Sequence, residues 1–84
     1  MKRESLIAAS VRRMRAAQPM TRNMRMYIDA VAHLDDVSTD ENRLKPDWSA
    51  REDNLMAVNT RRWAALTEAE QLALIAADKE QGNV

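Results

Sequence analysis

The sequence predicts an all-α fold: a small four-helix domain built from two helical hairpins joined by an acidic connector. Three observations lead there. The single glycine of the 84 residues stands at position 82, so the Asn-Gly and Asp-Gly turns that close β-hairpins are absent. No segment alternates apolar and polar residues for long, as a half-buried strand would. Apolar residues recur instead at three- and four-residue intervals, the spacing of one helix face. A chain this short makes one domain, 1–84, because single cores run to about 100–150 residues.

The first helix is expected over about 5–17. Ile7, Val11 and Met14 share one side, flanked by Leu6 and Ser10, with Lys2, Arg12 and Arg13 largely opposite. Pro19 disfavours helical geometry at Gln18 and closes the segment. The second helix, about 22–35, has Thr21 as its N-cap and a continuous stripe of Met24, Tyr27, Ile28, Val31 and Leu34. Arg22, Arg25, Asp29 and His33 fall on its reverse face, where water or a partner meets them.

The connector, 36–49, is rich in acids and turn formers and is interrupted by Pro46. It exceeds the usual helix connection of about 2–8 residues and has room for a short helical turn near Asp40 to Leu44. Two capping boxes follow, in which a hydroxyl caps the helix and a glutamate reaches back. Ser49 with Glu52 is expected to open a helix over 50–66, and Thr67 with Glu70 another over 68–80, ended by Gly82. Leu55, Met56, Trp63 and Leu66 lie within one arc of the third helix, and Glu52 and Asn59 fall inside it. A buried Asn needs hydrogen-bond partners, so Asn59 either sets register or marks the arc as partly an interface. In the fourth helix Leu72 and Ile75 lie nearly opposite Leu74, which allows two packing surfaces.

Composition excludes several functions. There is no cysteine, hence no disulfide framework, no thiolate nucleophile and no cysteine-bound zinc, and a cytoplasmic setting is expected. The apolar run Leu6–Ala9 is far short of the roughly 20 residues of a membrane span. It is also shorter than a signal-peptide core of about 7–15 residues, so Met1 is expected to open the mature chain. Ten arginines against three lysines, with fourteen alanines, fit a GC-rich bacterial or phage genome.

Thirteen basic and thirteen acidic side chains cancel, but they are segregated. Residues 1–27 carry seven bases and one acid, +6; residues 28–54 carry three bases and eight acids, −5; the remainder is −1. The chain is a charge dipole along its sequence.

Candidate sites are few. His33 shares a helix face with Asp29 and Asp36, a cluster best read as an exposed histidine with carboxylate neighbours rather than a metal site. One imidazole, no Gly-x-Ser-x-Gly elbow and no glycine for an oxyanion loop leave no hydrolase site. Residues 36–47 fit a calcium-loop register except at Glu41, where glycine is needed, and at Asp47, which is shorter than the bidentate Glu. Membrane binding through the first helix lacks an inserting Trp or Phe.

The expected function is therefore non-enzymatic, with no cofactor and no metal: binding to another protein or to a second copy, as a regulatory, inhibitory or accessory subunit. The contact surface is expected at Arg22, Arg25 and Met26. Arg12, Arg13 and Arg15 add positive potential, and Asp35, Asp36, Asp40 and Glu41 form the opposing patch. Met24 belongs to the core, whereas Met26 faces outward as an adaptable contact. The alternative is nucleic-acid binding, with the first two helices and the Gln18–Thr21 turn as a helix-turn-helix-like unit bearing Arg22 and Arg25. Pro19, the missing turn glycine and the zero net charge weigh against it.

Overall fold

In the computed structural model, which describes residues 4–80, Ser5 caps the first helix by accepting from the Ala8 amide at 2.9 Å. This helix, α1, covers Leu6–Met14 and stops three residues before its expected end. The backbone tightens there: the amides of Ala16 and Ala17 donate to the carbonyls of Arg13 and Met14, three residues back. The turn that follows contains a cis Gln18–Pro19 bond. Ala17 is buried although it lies beyond the helix.

α2, Arg22–Val37, starts where expected, with Thr21 Oγ1 accepting from the Met24 amide at 3.2 Å. It runs two residues past its expected end, so Asp36 belongs to a helix and not to the connector. Ser38 then ends it, its hydroxyl donating to the Leu34 carbonyl at 2.6 Å. The short turn foreseen in the connector is α3, Asp40–Arg43, capped by Thr39, which accepts from the Asn42 amide. The Asn42 side chain donates back to the Val37 carbonyl at 2.8 Å and ties α3 to the end of α2.

The Ser49 capping box does not form. α4 runs Trp48–Ala64, with Asp47 at the N-cap position and no side-chain cap. Trp48 is buried, and its amide is already bonded to the Lys45 carbonyl at 3.1 Å. Burying that ring draws the helix start ahead of Ser49, which is left exposed in the first turn. The Thr67 box does form: Glu70 Oε1 accepts from the Thr67 amide at 2.8 Å, and Thr67 Oγ1 accepts from the Glu70 amide at 3.1 Å. It opens α5, Glu68–Glu80. Gly82 lies outside the described residues.

The described residues are thus all-helical, with five helices and no strand. The main packing runs α4 on α2, α2 on α1, α1 on α5, with α3 lying against α4. Although only Ala65–Thr67 separate α4 from α5, α5 finds its principal neighbour in α1. The four long helices form an open arrangement whose α4–α5 edge is not sealed. The molecule is flattened, 17 Å across its thinnest direction, about the depth of two packed helices.

One cluster fills the closed side. Val11, Met14 and Ala17, Met24 and Ile28, Leu66 and Leu74 are buried together, with Tyr27, Val31 and Trp63 partly buried against them. Met24, Ile28 and Leu74 are fully buried, and burial of each such side chain stabilises the fold by about 1.5–3 kcal/mol. The two packing surfaces expected of the last helix resolve as one: Leu74 enters the core, while Leu72 and Ile75 stay exposed.

Candidate functional site

The segregated charges are partly spent inside the fold. Arg12 pairs with Glu4 at 3.1 Å, Arg13 with Asp78 at 3.0 Å and Arg15 with Asp29 at 3.2 Å. The Arg12 guanidinium holds the Glu4 carboxyl below its ordinary range, and the carboxylate raises Arg12 in return. Arg12 and Arg13 of α1 and Arg15 just after it, all expected to add open positive potential, are therefore each matched by an acid.

Arg22 and Arg25 are different. Both are exposed, and neither makes an ion pair among the described residues. Met26 beside them is 37% exposed. Arg62 of α4 joins this end by donating from Nη1 to the Met26 carbonyl at 2.9 Å. The sequence reading missed Arg62, because only the packing of α4 on α2 brings residues 36 positions apart together.

At the other end of α2, the Ser5 hydroxyl donates its one proton between the two carboxylate oxygens of Asp35, at 2.9 and 3.1 Å. Asp35, Asp36 and Asp40 line a hollow with Glu4, Ser5 and Thr39, and Glu41 follows Asp40 in the first turn of α3. Glu4, read from sequence only as the lone acid of a basic segment, belongs to this acidic end. No group of three or more His and acidic side chains among the described residues is arranged to hold a metal ion. His33 is exposed beside a shallow hollow between α2 and α4.

The charges of α2 oppose its dipole. Its first turn holds no acid and its last turn no base, whereas the positive N-terminus of a helix favours acids and the negative C-terminus favours bases. Glu70 of α5 supplies part of the missing negative charge by accepting from the Thr21 hydroxyl. That bond and the Thr67 amide hold the Glu70 carboxyl below its ordinary range.

A second feature lies along the unsealed edge. A cleft of about 450 Å³ opens between α4 and the α1–α5 pair, with α2 as its floor. Its walls are Leu6, Ile7 and Met14 of α1, Tyr27, Val31 and Leu34 of α2, Trp63 of α4, and Leu74 and Ile75 of α5, with Ser10, Asn59 and Asp78 as the polar members. Tyr27 and Trp63 meet with ring centroids 5.0 Å apart at a tilt of 55°. Burial, and then the charge of Asp78, pushes the Tyr27 hydroxyl above its ordinary value, so it stays neutral. The Asn59 Oδ1 is buried without a hydrogen-bond partner. The one sequence signal for this cleft was that Asn within an apolar arc.

The expected helix-turn-helix differs from the observed unit. Because α1 ends at Met14, seven residues, 15–21, separate it from α2, where such motifs use a turn of about 3–4. No helix of the described residues is long and apolar enough to cross a membrane. Compared with known protein families, curated proteins and solved structures, the chain matches none.

Proposed function

We propose that this chain is a non-enzymatic helical module that works by binding another protein, in the role of a regulatory, inhibitory or accessory subunit of a bacterium or phage. A cytoplasmic setting belongs to the same proposal. The observation that carries it is the cationic end of α2, where Arg22 and Arg25 stand exposed, with no ion pair among the described residues, beside the exposed Met26. Each base at a helix N-terminus costs roughly 0.3–1 kcal/mol, so helix stability does not account for the pair. An acidic protein surface offsets that cost on contact, and Met26 supplies an apolar centre that adapts to its shape. Arg62, fixed by the Met26 carbonyl, extends the patch.

The reading is tested by capturing partners from host extract on the immobilised chain and on the Arg22→Ala/Arg25→Ala variant. A protein retained by the first and lost by the second, with helix content unchanged, supports it. Titration with nonspecific duplex DNA at two salt concentrations tests the nucleic-acid alternative. Tight, strongly salt-dependent binding that disappears in the double variant overturns the proposal.

A further inference from the structure

We infer that the partner lays an acidic amphipathic helix along the seam between α2 and α4, with its carboxylates on Arg22, Arg25 and Arg62 and one apolar side chain in the hollow beyond Met26. The inference rests on the partner reading above and deepens it, because it states what kind of segment the cationic end of α2 receives. The seam lies on the outer side of α2, away from the Tyr27, Val31 and Leu34 that line the cleft.

Its frame is two antiparallel rows. Arg62 is bonded to the Met26 carbonyl, and further along α2 Ala30 and His33 share a hollow of about 240 Å³ with Leu55 and Val58. Positions on α4 therefore fall as those on α2 rise. On α2 Arg22, Met26, Asp29 and His33 recur at intervals of four, three and four residues, and on α4 Arg51, Leu55, Val58 and Arg62 do the same. That spacing keeps each row on one helix face. Two such ridges flanking a groove form a seat for a third helix, about 8–10 Å from each axis.

The chemistry of the seam selects the occupant. Arg22 and Arg25 are exposed, and none of Arg22, Arg25 and Arg62 makes an ion pair among the described residues. The acid of the α2 row, Asp29, is engaged by Arg15 at 3.2 Å. That end therefore holds surplus positive charge, which carboxylates complement. The hollow next to it sets Ala30, Leu55 and Val58 among the polar Asp29, His33 and Arg62. An apolar pocket ringed by polar residues suits a single buried anchor. Ala30 follows Arg25 by five residues, about 7.5 Å along the axis, so a helix lying in the seam presents its acids one to two turns from that anchor. A nucleic-acid backbone fits less well, since it meets Asp29 and then the exposed Asp36 along the same face of α2.

The test is a residue-resolved NMR titration of the full chain with two synthetic helix-forming peptides as long as α2. Both carry one leucine in an alanine face, with either glutamates or lysines one turn before it. The glutamate peptide should move the amide resonances of Met26, Ala30, Leu55 and Val58 while Leu6 and Ile75 at the cleft stay fixed, and the lysine peptide should move none of them. Arg22→Ala/Arg25→Ala should weaken binding about tenfold, as should Val58→Glu. Replacing the peptide's leucine by alanine should do the same, and that change leaves the folding of this chain untouched. Binding that is lost in the arginine variant but ignores both Val58→Glu and the leucine replacement leaves the cationic end as the contact and overturns the seam. So does a glutamate peptide that moves no resonance, or only those of the cleft, even where a host protein is still retained through Arg22 and Arg25. Duplex DNA that moves the same resonances at lower concentration than the glutamate peptide overturns it as well.

Discussion

α2 and α4 lie against each other and are nearly equal in length, 16 and 17 residues, yet α2 buries more of its apolar arc. α2 buries Met24, Ile28 and Ala30 between α1 and α4. Of the residues of α4 only Trp48 is buried; Met56 is half exposed, and Asn59 keeps an unbonded oxygen. The difference lies in neighbours, not in the helices themselves. α2 is enclosed from two sides, whereas α5, which would have covered α4, packs on α1. An amphipathic arc thus guarantees an appetite for burial, and topology decides whether the same chain satisfies it.

Substitutions on the two helices should separate accordingly. Ile28→Ala should cost about 2–5 kcal/mol of unfolding free energy in urea titration, while Met56→Ala should stay within about 0.5 kcal/mol. Comparable losses at both positions would break the contrast. Asn59→Leu should raise stability by about 1 kcal/mol, because it removes a buried acceptor that has no donor; a loss would mean that the amide is satisfied after all. The two hydroxyls at the ends of α4 extend the comparison to capping. Thr67→Ala should lower stability by about 1 kcal/mol, and Ser49→Ala should leave the melting curve in place.

The smallest effect is a pH dependence. Glu70 and Glu4 have folded values below the ordinary carboxylate value of about 4.3. Their stabilisation is complete above that pH and is lost as pH falls through the lower folded values. Glu70→Gln should therefore flatten the acid limb of the stability profile while changing little once the pH has fallen below the lowered folded value. An unchanged limb would show that the bonds from Thr21 and Thr67 do not persist in solution.

Local chemistry was legible in the sequence wherever it acts alone. Thr21, Thr67 with Glu70, and the turn near Asp40 each announced a helix start, because a cap needs only its own first turn. Ser49 with Glu52 carried the same signature and failed, since burial of Trp48 fixed the start of α4 two residues earlier than expected. The ion pairs of Arg13 with Asp78 and Arg15 with Asp29 join residues 65 and 14 positions apart and follow from helix packing. A charge count along the chain therefore overstated the open positive surface of α1. The cleft was invisible for the same reason: its walls come from four helices, and it exists because α5 turns away from α4. Only Asn59, out of place in an apolar arc, hinted at it.

The claim that α2 is packed from two sides while α4 is left more open is tested most directly by native-state amide hydrogen exchange. Slower exchange at Met24 and Ile28 of α2 than at Met56 and Asn59 of α4 is the predicted result. Equal protection in the two helices would contradict it.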